Sequence, residues 1–161
     1  MDITAIMAGQ DFEIVVKLAI ALLLGMSLGI ERAIAGKTAG MRTYGLVTLG
    51  SALFVIIGIL SSGVNLNANV FTDSTARITA AIIQGIGFLG AGLIIFKDSR
   101  VSGVTTAAGI WVSAGVGIAI GYGFYALAII ATVFALFIFT ALWFIENKVK
   151  AIAHFSDDDA N

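Results

Sequence analysis

Long uncharged intervals divide the chain into segments of membrane-spanning length. Residues 43–72, 78–96 and 101–145 contain no charged side chain. A helix needs about 20 apolar residues to cross a hydrocarbon layer of roughly 30 Å, so the third interval holds two crossings and the others one each. Residues 14–31 add another apolar segment, in which Lys17 lies close enough to one end to extend its ammonium to the membrane surface. The pattern therefore predicts five membrane-spanning helices.

The predicted protein is an all-α, polytopic membrane protein built as a bundle of five transmembrane helices. The helices are placed at about residues 13–32, 43–62, 75–96, 104–121 and 124–145. Polar residues and Gly63 between the second and third helices predict a loop, and "GYG" predicts a tight break between the last two. We expect residues 1–148 to form the transmembrane domain and residues 149–161 a short cytoplasmic tail.

The distribution of Lys and Arg predicts the orientation in the membrane, because basic residues concentrate on the cytoplasmic side. One set of helix ends holds seven basic residues and the other set holds two. The seven are Arg32, Lys37, Arg42, Lys97, Arg100, Lys148 and Lys150, and the two are Lys17 and Arg77. The C-terminus is therefore expected in the cytoplasm and the N-terminus outside.

Composition narrows the classes of function. Hydrophobic residues make up 59% of the chain and charged residues only 12%, against about a quarter in soluble domains. The net charge of -1 provides no basic field for nucleic acid, and the absence of cysteine removes thiolate nucleophiles and thiolate metal ligands. No metal-ligand cluster and no nucleophile–base pair is visible in the sequence. We therefore expect neither an enzyme nor a bound cofactor or metal.

Residues 85–92, "GIGFLGAG", have the glycine spacing of a dinucleotide-binding loop. Such a loop follows a strand, and an acidic residue that contacts the nucleotide lies about 20 positions after it. Residues 99–145 contain no acidic residue. The glycines instead lie inside a predicted spanning helix. Because they leave two faces of this helix without side chains, neighbouring helices can approach its backbone from two directions. Those four are Gly85, Gly87, Gly90 and Gly92. We expect close packing of this helix at the centre of the bundle, with a local break of the helix as the alternative.

Polar residues in the third predicted helix share one face. At roughly 100° per residue, Asp73, Arg77 and Gln84 fall within about 40° of one another, together with Ala80 and Ala91. Asp73 and Arg77 are spaced to form an ion pair; alternatively, Asp73 caps the helix and Arg77 extends to the surface. Gln84 lies at mid-depth, where an amide needs a hydrogen-bonding partner.

Two further groups of residues are candidates for contacts. Glu31, Arg32, Arg42 and Thr43 flank the loop between the first two helices, where they form either an ordinary basic loop, a site for an anion or partner, or a salt bridge between helices. Small residues at helical spacing predict packing faces on the first and fourth helices. These are Gly25 and Gly29 on the first, and Gly117 and Gly121 on the fourth.

Three blocks of the sequence closely resemble the signature blocks of the MgtC/SapB family of bacterial inner-membrane proteins. They are "LGIERAIAGKTAGMRTYGLVTLGSALF", "TDSTARITAAIIQGIGFLGAGLII" and "GVTTAAGIWVSAGVGIAIGYG". The resemblance covers nearly the whole membrane region in order. Matching signature positions are Glu31, Arg32, Gly40, Arg42, Thr43, Asp73, Arg77, Gln84, Gly85, Gly87, Phe88, Gly90, Gly92, Thr105, Thr106 and Trp111.

The resemblance implies a multi-pass protein of the bacterial inner membrane. Its family is linked to growth under magnesium limitation and to acid tolerance, and some members act on the F-type ATP synthase. Virulence-linked members carry a soluble domain after the last helix, and this sequence resembles a short member without it.

Two functions follow as expectations. The first is contact between helices, either in a homodimer or with another membrane protein, within the lipid bilayer. The second is a small dimeric transporter or channel for Mg²⁺ or protons that uses Asp73, Arg77 and Gln84.

Overall fold

The computed structural model describes residues 3–63, 66, 72–97, 100–142, 144, 145 and 148. In this part of the chain five helices are long and apolar enough to cross a membrane, as the sequence predicts. They are α1 (Ile3–Ile34), α2 (Met41–Ser61), α3 (Asp73–Leu93), α4 (Val104–Gly121) and α5 (Tyr125–Phe137), the last together with the turn that extends it to Leu142. A π-helical turn, Ile138–Leu142, continues α5. The predicted tail at 149–161 lies outside the described residues.

The third helix ends earlier than predicted, because the chain turns into a short hairpin. Strands β1 (Ile95–Lys97) and β2 (Arg100–Ser102) pair in antiparallel register between α3 and α4. Gly103 follows with φ of 88°, and a Cβ at this position would collide with the backbone of Leu93. Glycine is therefore required for the tight turn from the hairpin into α4. The expectation that the helix continues to residue 96 is wrong.

Helices α2 and α4 form the centre of the bundle and pack backbone to backbone. A Cβ at Gly117 would collide with the carbonyl group of Thr48, and one at Gly121 would lie 2.6 Å from Val55 Cβ. Helix α1 also approaches α2 closely: a Cβ at Gly25 of α1 would lie 2.7 Å from the carbonyl oxygen of Tyr44. In lipid, helices associate by close packing of small residues, and these glycines make that approach possible.

Hydroxyl groups are satisfied inside the α2–α4 contact. Thr48 Oγ1 and Ser113 Oγ lie 2.9 and 3.2 Å from the carbonyl oxygen of Tyr44 and 2.5 Å from each other, so one hydroxyl donates to the carbonyl oxygen and the other donates to the first hydroxyl. The hydroxyl of Tyr44 itself donates to the carbonyl oxygen of Thr106 at 3.4 Å. All four side chains are buried. These bonds fix the register of the two central helices, because buried polar groups need their partners.

Helix α3 lies at the edge of the bundle. The buried share of its most apolar stretch is 11%, compared with 50% in α2 and 61% in α4. The expectation that the third helix occupies the centre is therefore wrong for the single chain. The helix is continuous from Asp73 to Leu93, so the alternative of a local break at the glycines is not found.

Substitution of two glycines of α4 tests the packing of the core. Replacing Gly117 with Ala places a methyl group against the backbone of Thr48, and we expect a loss of about 1–3 kcal/mol in the free energy of unfolding. Gly115→Ala is the matched control: a Cβ there meets nothing within 4 Å, and alanine favours helix by up to about 1 kcal/mol. The free energy of unfolding of both variants is measured by adding increasing amounts of SDS to the protein in detergent. Equal stability of the two variants contradicts the packing.

Candidate helix-contact site

Hydrogen bonds at the start of α3 fix its rotation about its own axis. Thr72 and Thr75 form a capping box, in which the Thr75 amide donates to Thr72 Oγ1 at 3.3 Å and the Thr72 amide donates to Thr75 Oγ1 at 3.1 Å. Tyr122, directly after α4, donates to the Thr75 carbonyl oxygen at 3.0 Å and lies 2.8 Å from the Thr79 hydroxyl. Thr72, not Asp73, therefore caps the helix, and the Thr75 side of α3 faces α4.

The predicted polar face of α3 points away from the bundle. Thr75, Ile86 and Gly90 are the buried residues of α3, and they lie on one side of the helix. Roughly on the opposite side are six exposed residues, which we call the α3 stripe. The α3 stripe consists of Asp73, Arg77, Ala80, Gln84, Gly87 and Ala91.

The polar members of the α3 stripe have no partner among the residues that the structure describes. Among the described residues, ion pairs join Glu13 to Lys17 and Glu31 to Arg32, but none joins Asp73 to Arg77. The side chain of Gln84 likewise forms no hydrogen bond with the described residues. Gln84 lies about 17 Å along the helix from Asp73, near the middle of a bilayer. An amide at that depth needs a partner, because lipid offers none.

The four glycines of residues 85–92 do not share one environment. A Cβ at Gly90 would lie 3.7 Å from Ala107 Cβ, so Gly90 packs on α4. At Gly85, Gly87 and Gly92 a Cβ would meet nothing within 4 Å. Gly85 also lines an apolar groove of about 680 Å³ between α2 and α3. Within one chain, close approach at this segment is thus limited to Gly90.

The predicted residues of the first loop lie at the other end of the bundle from Asp73. Arg32 is buried, forms an ion pair with Glu31, and has its guanidinium carbon 3.9 Å from the centre of the Phe139 ring. Arg42 and Thr43 are exposed at the start of α2. Since α3 begins at the opposite end, the structure does not bring this group together with Asp73 and Arg77.

The sequence pattern did not predict that a charged side chain of α1 is buried and paired. Lys17 is 1% exposed, with its Nζ 3.0 Å from Glu13 Oε1 and 3.4 Å from the carbonyl oxygen of Gly121, the last residue of α4. The negative end of the α4 dipole favours a cation at this position. The side chain is thus buried between helix ends, and the position of its ammonium relative to the membrane surface stays a prediction. Glu13, four residues earlier on the same helix face, was the available signal.

Comparison with known proteins gives consistent matches. The sequence profile of the MgtC family matches residues 18–148. The Escherichia coli (strain K12) protein named "Putative magnesium transporter YhiD" is 38% identical over 126 residues, which are 78% of this chain and 59% of that protein. Protein SrpB of Synechococcus elongatus is 38% identical over 144 residues, covering 84% of this chain and 78% of that protein. Protein MgtC of Salmonella typhimurium (strain 14028s) is 40% identical over 125 residues, or 78% of this chain and 50% of that protein. No solved structure matches.

The Lys17–Glu13 pair can be tested by a double-mutant cycle. Lys17→Met and Glu13→Gln each leave one member of a largely buried pair without its partner, so each lowers the free energy of unfolding. The double variant loses less than the sum of the two, by about 1–3 kcal/mol. Unfolding in detergent measures all four proteins. Additive losses contradict the pairing.

Proposed function

The chain belongs to the MgtC family, and on that premise we propose that it serves adaptation to magnesium limitation or acid stress by lateral contact between helices, with the α3 stripe as the contact surface. The proposal places the protein in the bacterial inner membrane, with its N-terminus outside and its C-terminus in the cytoplasm. The contact partner is a second copy or another membrane protein, such as the F-type ATP synthase implied by the family resemblance.

The position of Gln84 is the observation that carries this proposal. Its amide is exposed on the side of α3 that faces away from the packed bundle, at a depth where lipid provides no hydrogen bond. A polar residue in that position is costly unless another helix covers it. Elsewhere the bundle pairs its polar groups, as at Thr48 with Ser113 and at Lys17 with Glu13. The uncovered stripe is therefore best explained as a surface that contacts another helix.

Transport of Mg²⁺ or protons is the second candidate function. The name of the YhiD relative supports it, as does the presence of Asp73 and Arg77 on the same stripe as Gln84. Because the stripe points out of the bundle, a pathway that uses these residues would run between chains and would need a dimer. The matched region is 59% of YhiD and 50% of MgtC, so any activity of those whole proteins is carried over to this chain only as a proposal.

Removal of the Gln84 amide tests the contact function. We expect Gln84→Leu to abolish growth under magnesium limitation or acid stress in a strain that lacks its own copy of the gene. The melting temperature of the purified protein stays equal or rises, because leucine suits lipid better than an amide does. Gln84→Asn, which keeps an amide, is the control and retains part of the growth. Normal growth with Gln84→Leu overturns the contact function.

Flux into proteoliposomes tests the transport function. Uptake of Mg²⁺ or H⁺ by the wild-type protein that falls at least tenfold in Asp73→Asn supports transport through the stripe. Ser74→Ala, which changes the exposed neighbouring residue, is the control and leaves flux unchanged. If the wild-type protein carries neither Mg²⁺ nor H⁺, transport is excluded, and the contact function is not affected by this result.

A further inference from the structure

We propose that the partner of the α3 stripe is the α3 stripe of a second copy, packed parallel about a two-fold axis that runs along the membrane normal. The proposal rests on the contact function above and names its partner. It follows from three properties of the stripe: its spacing, its charges and the distribution of its small residues.

The spacing is that of a seam between two supercoiled helices. The six stripe residues follow one another at intervals of four, three, four, three and four residues. This is the 3.5-residue repeat that keeps one line of side chains facing a parallel partner in left-handed coiled coils and in most membrane bundles. Each of the six is exposed in the single chain, so the whole seam is available.

The charges of the seam are complementary to themselves. Asp73 and Arg77 are one turn apart, about 6 Å along the axis, and do not pair with each other. In a parallel two-fold pair identical residues lie at the same height, so a diagonal contact from Asp73 to Arg77 of the second copy, one turn away, is repeated from Arg77 to Asp73 of the second copy. Two ion pairs then form at the mouth of the interface. A partner of a different sequence would have to supply this same order of charges by chance.

The middle of the seam allows close approach around one polar residue. Ala80 and Gly87 flank Gln84, and Ala91 follows one turn later. A Cβ at Gly87 meets nothing within 4 Å in the single chain, so no internal contact explains the glycine. With small residues on both sides, two Gln84 amides meet near the axis, where each can donate to the other. Phe88, 81% exposed beside the seam, then covers the amides from lipid.

Single-cysteine cross-linking tests the seam directly, because the chain contains no cysteine of its own. We expect Ala80→Cys and Ala91→Cys to form disulfide-linked dimers in membranes treated with copper phenanthroline, at yields at least fivefold above Ile83→Cys. Ile83 is also exposed on α3 but lies well off the stripe, which makes it the matched control. Equal yields at Ala80, Ala91 and Ile83 overturn the dimer.

Charge reversal tests the reciprocal ion pairs. In the Ala80→Cys background, Asp73→Arg should reduce the cross-linking yield at least fivefold, since it removes both carboxylates and leaves four arginines at this end of the seam. Adding Arg77→Asp to the same chain reverses both charges and should restore the yield. Restoration separates lost pairing from lost folding. Failure of the double reversal to restore yield, in a protein that melts like the wild type, overturns the pairing.

Steric change at the seam separates this inference from the contact function. Gly87→Leu should abolish the dimer and the growth phenotype without changing the melting temperature, because its position is open within the chain. Gly92→Leu makes the same chemical change about 100° from the centre of the stripe and should leave the dimer intact. If the wild type does not cross-link but Gly87→Leu still abolishes growth, the second copy is wrong and a helix of another membrane protein occupies the stripe. If Gly87→Leu also grows normally, the contact function itself is wrong.

Discussion

The rest of the structure depends on the close approach of α2 and α4. Gly117 and Gly121 bring the backbone of α4 against Thr48 and Val55, and the Thr48 and Ser113 hydroxyls lock the register through the Tyr44 carbonyl group. In lipid there is no hydrophobic effect to hold helices together, so contact distance and buried hydrogen bonds decide which helices pair. Once α2 and α4 are joined, α1 is added through Gly25 and α3 through the residue that follows α4, Tyr122.

The polar and charged residues of the bundle form two groups: some are paired inside the chain, and others have no partner among the described residues. At one end Lys17 is buried against Glu13 and the C-terminus of α4, and at the other Arg32 is buried against Glu31 and Phe139. These charges are matched within the chain and need nothing further. Asp73, Arg77 and Gln84 are matched with nothing in the described residues, although they occupy one face of a spanning helix. This contrast is the physical basis for assigning contact to α3 and stability to the two buried pairs.

A contact surface on α3 also changes how the glycine segment is understood. Gly90 packs on Ala107 inside the chain, whereas Gly87 belongs to the outward stripe. In the proposed dimer, the two glycines therefore serve different interfaces three residues apart. Gly90 then contributes to packing within the chain, and Gly87 to the proposed association. A transport pathway through this region would likewise lie between chains, because the stripe does not line an interior of the bundle.

The number of helices, their approximate bounds and the shared face of Asp73, Arg77 and Gln84 were determined by the sequence alone. Charge-free length fixes the crossings, since charge is costly in hydrocarbon, and helical geometry fixes which residues share a face. Which way that face points was decided only by the tertiary structure. Both faces of α3 carry glycine, so composition could not tell the packed side from the open one. The hydrogen bonds of Tyr122 to Thr75 and Thr79 turn one side inward, and the polar stripe is left facing outward.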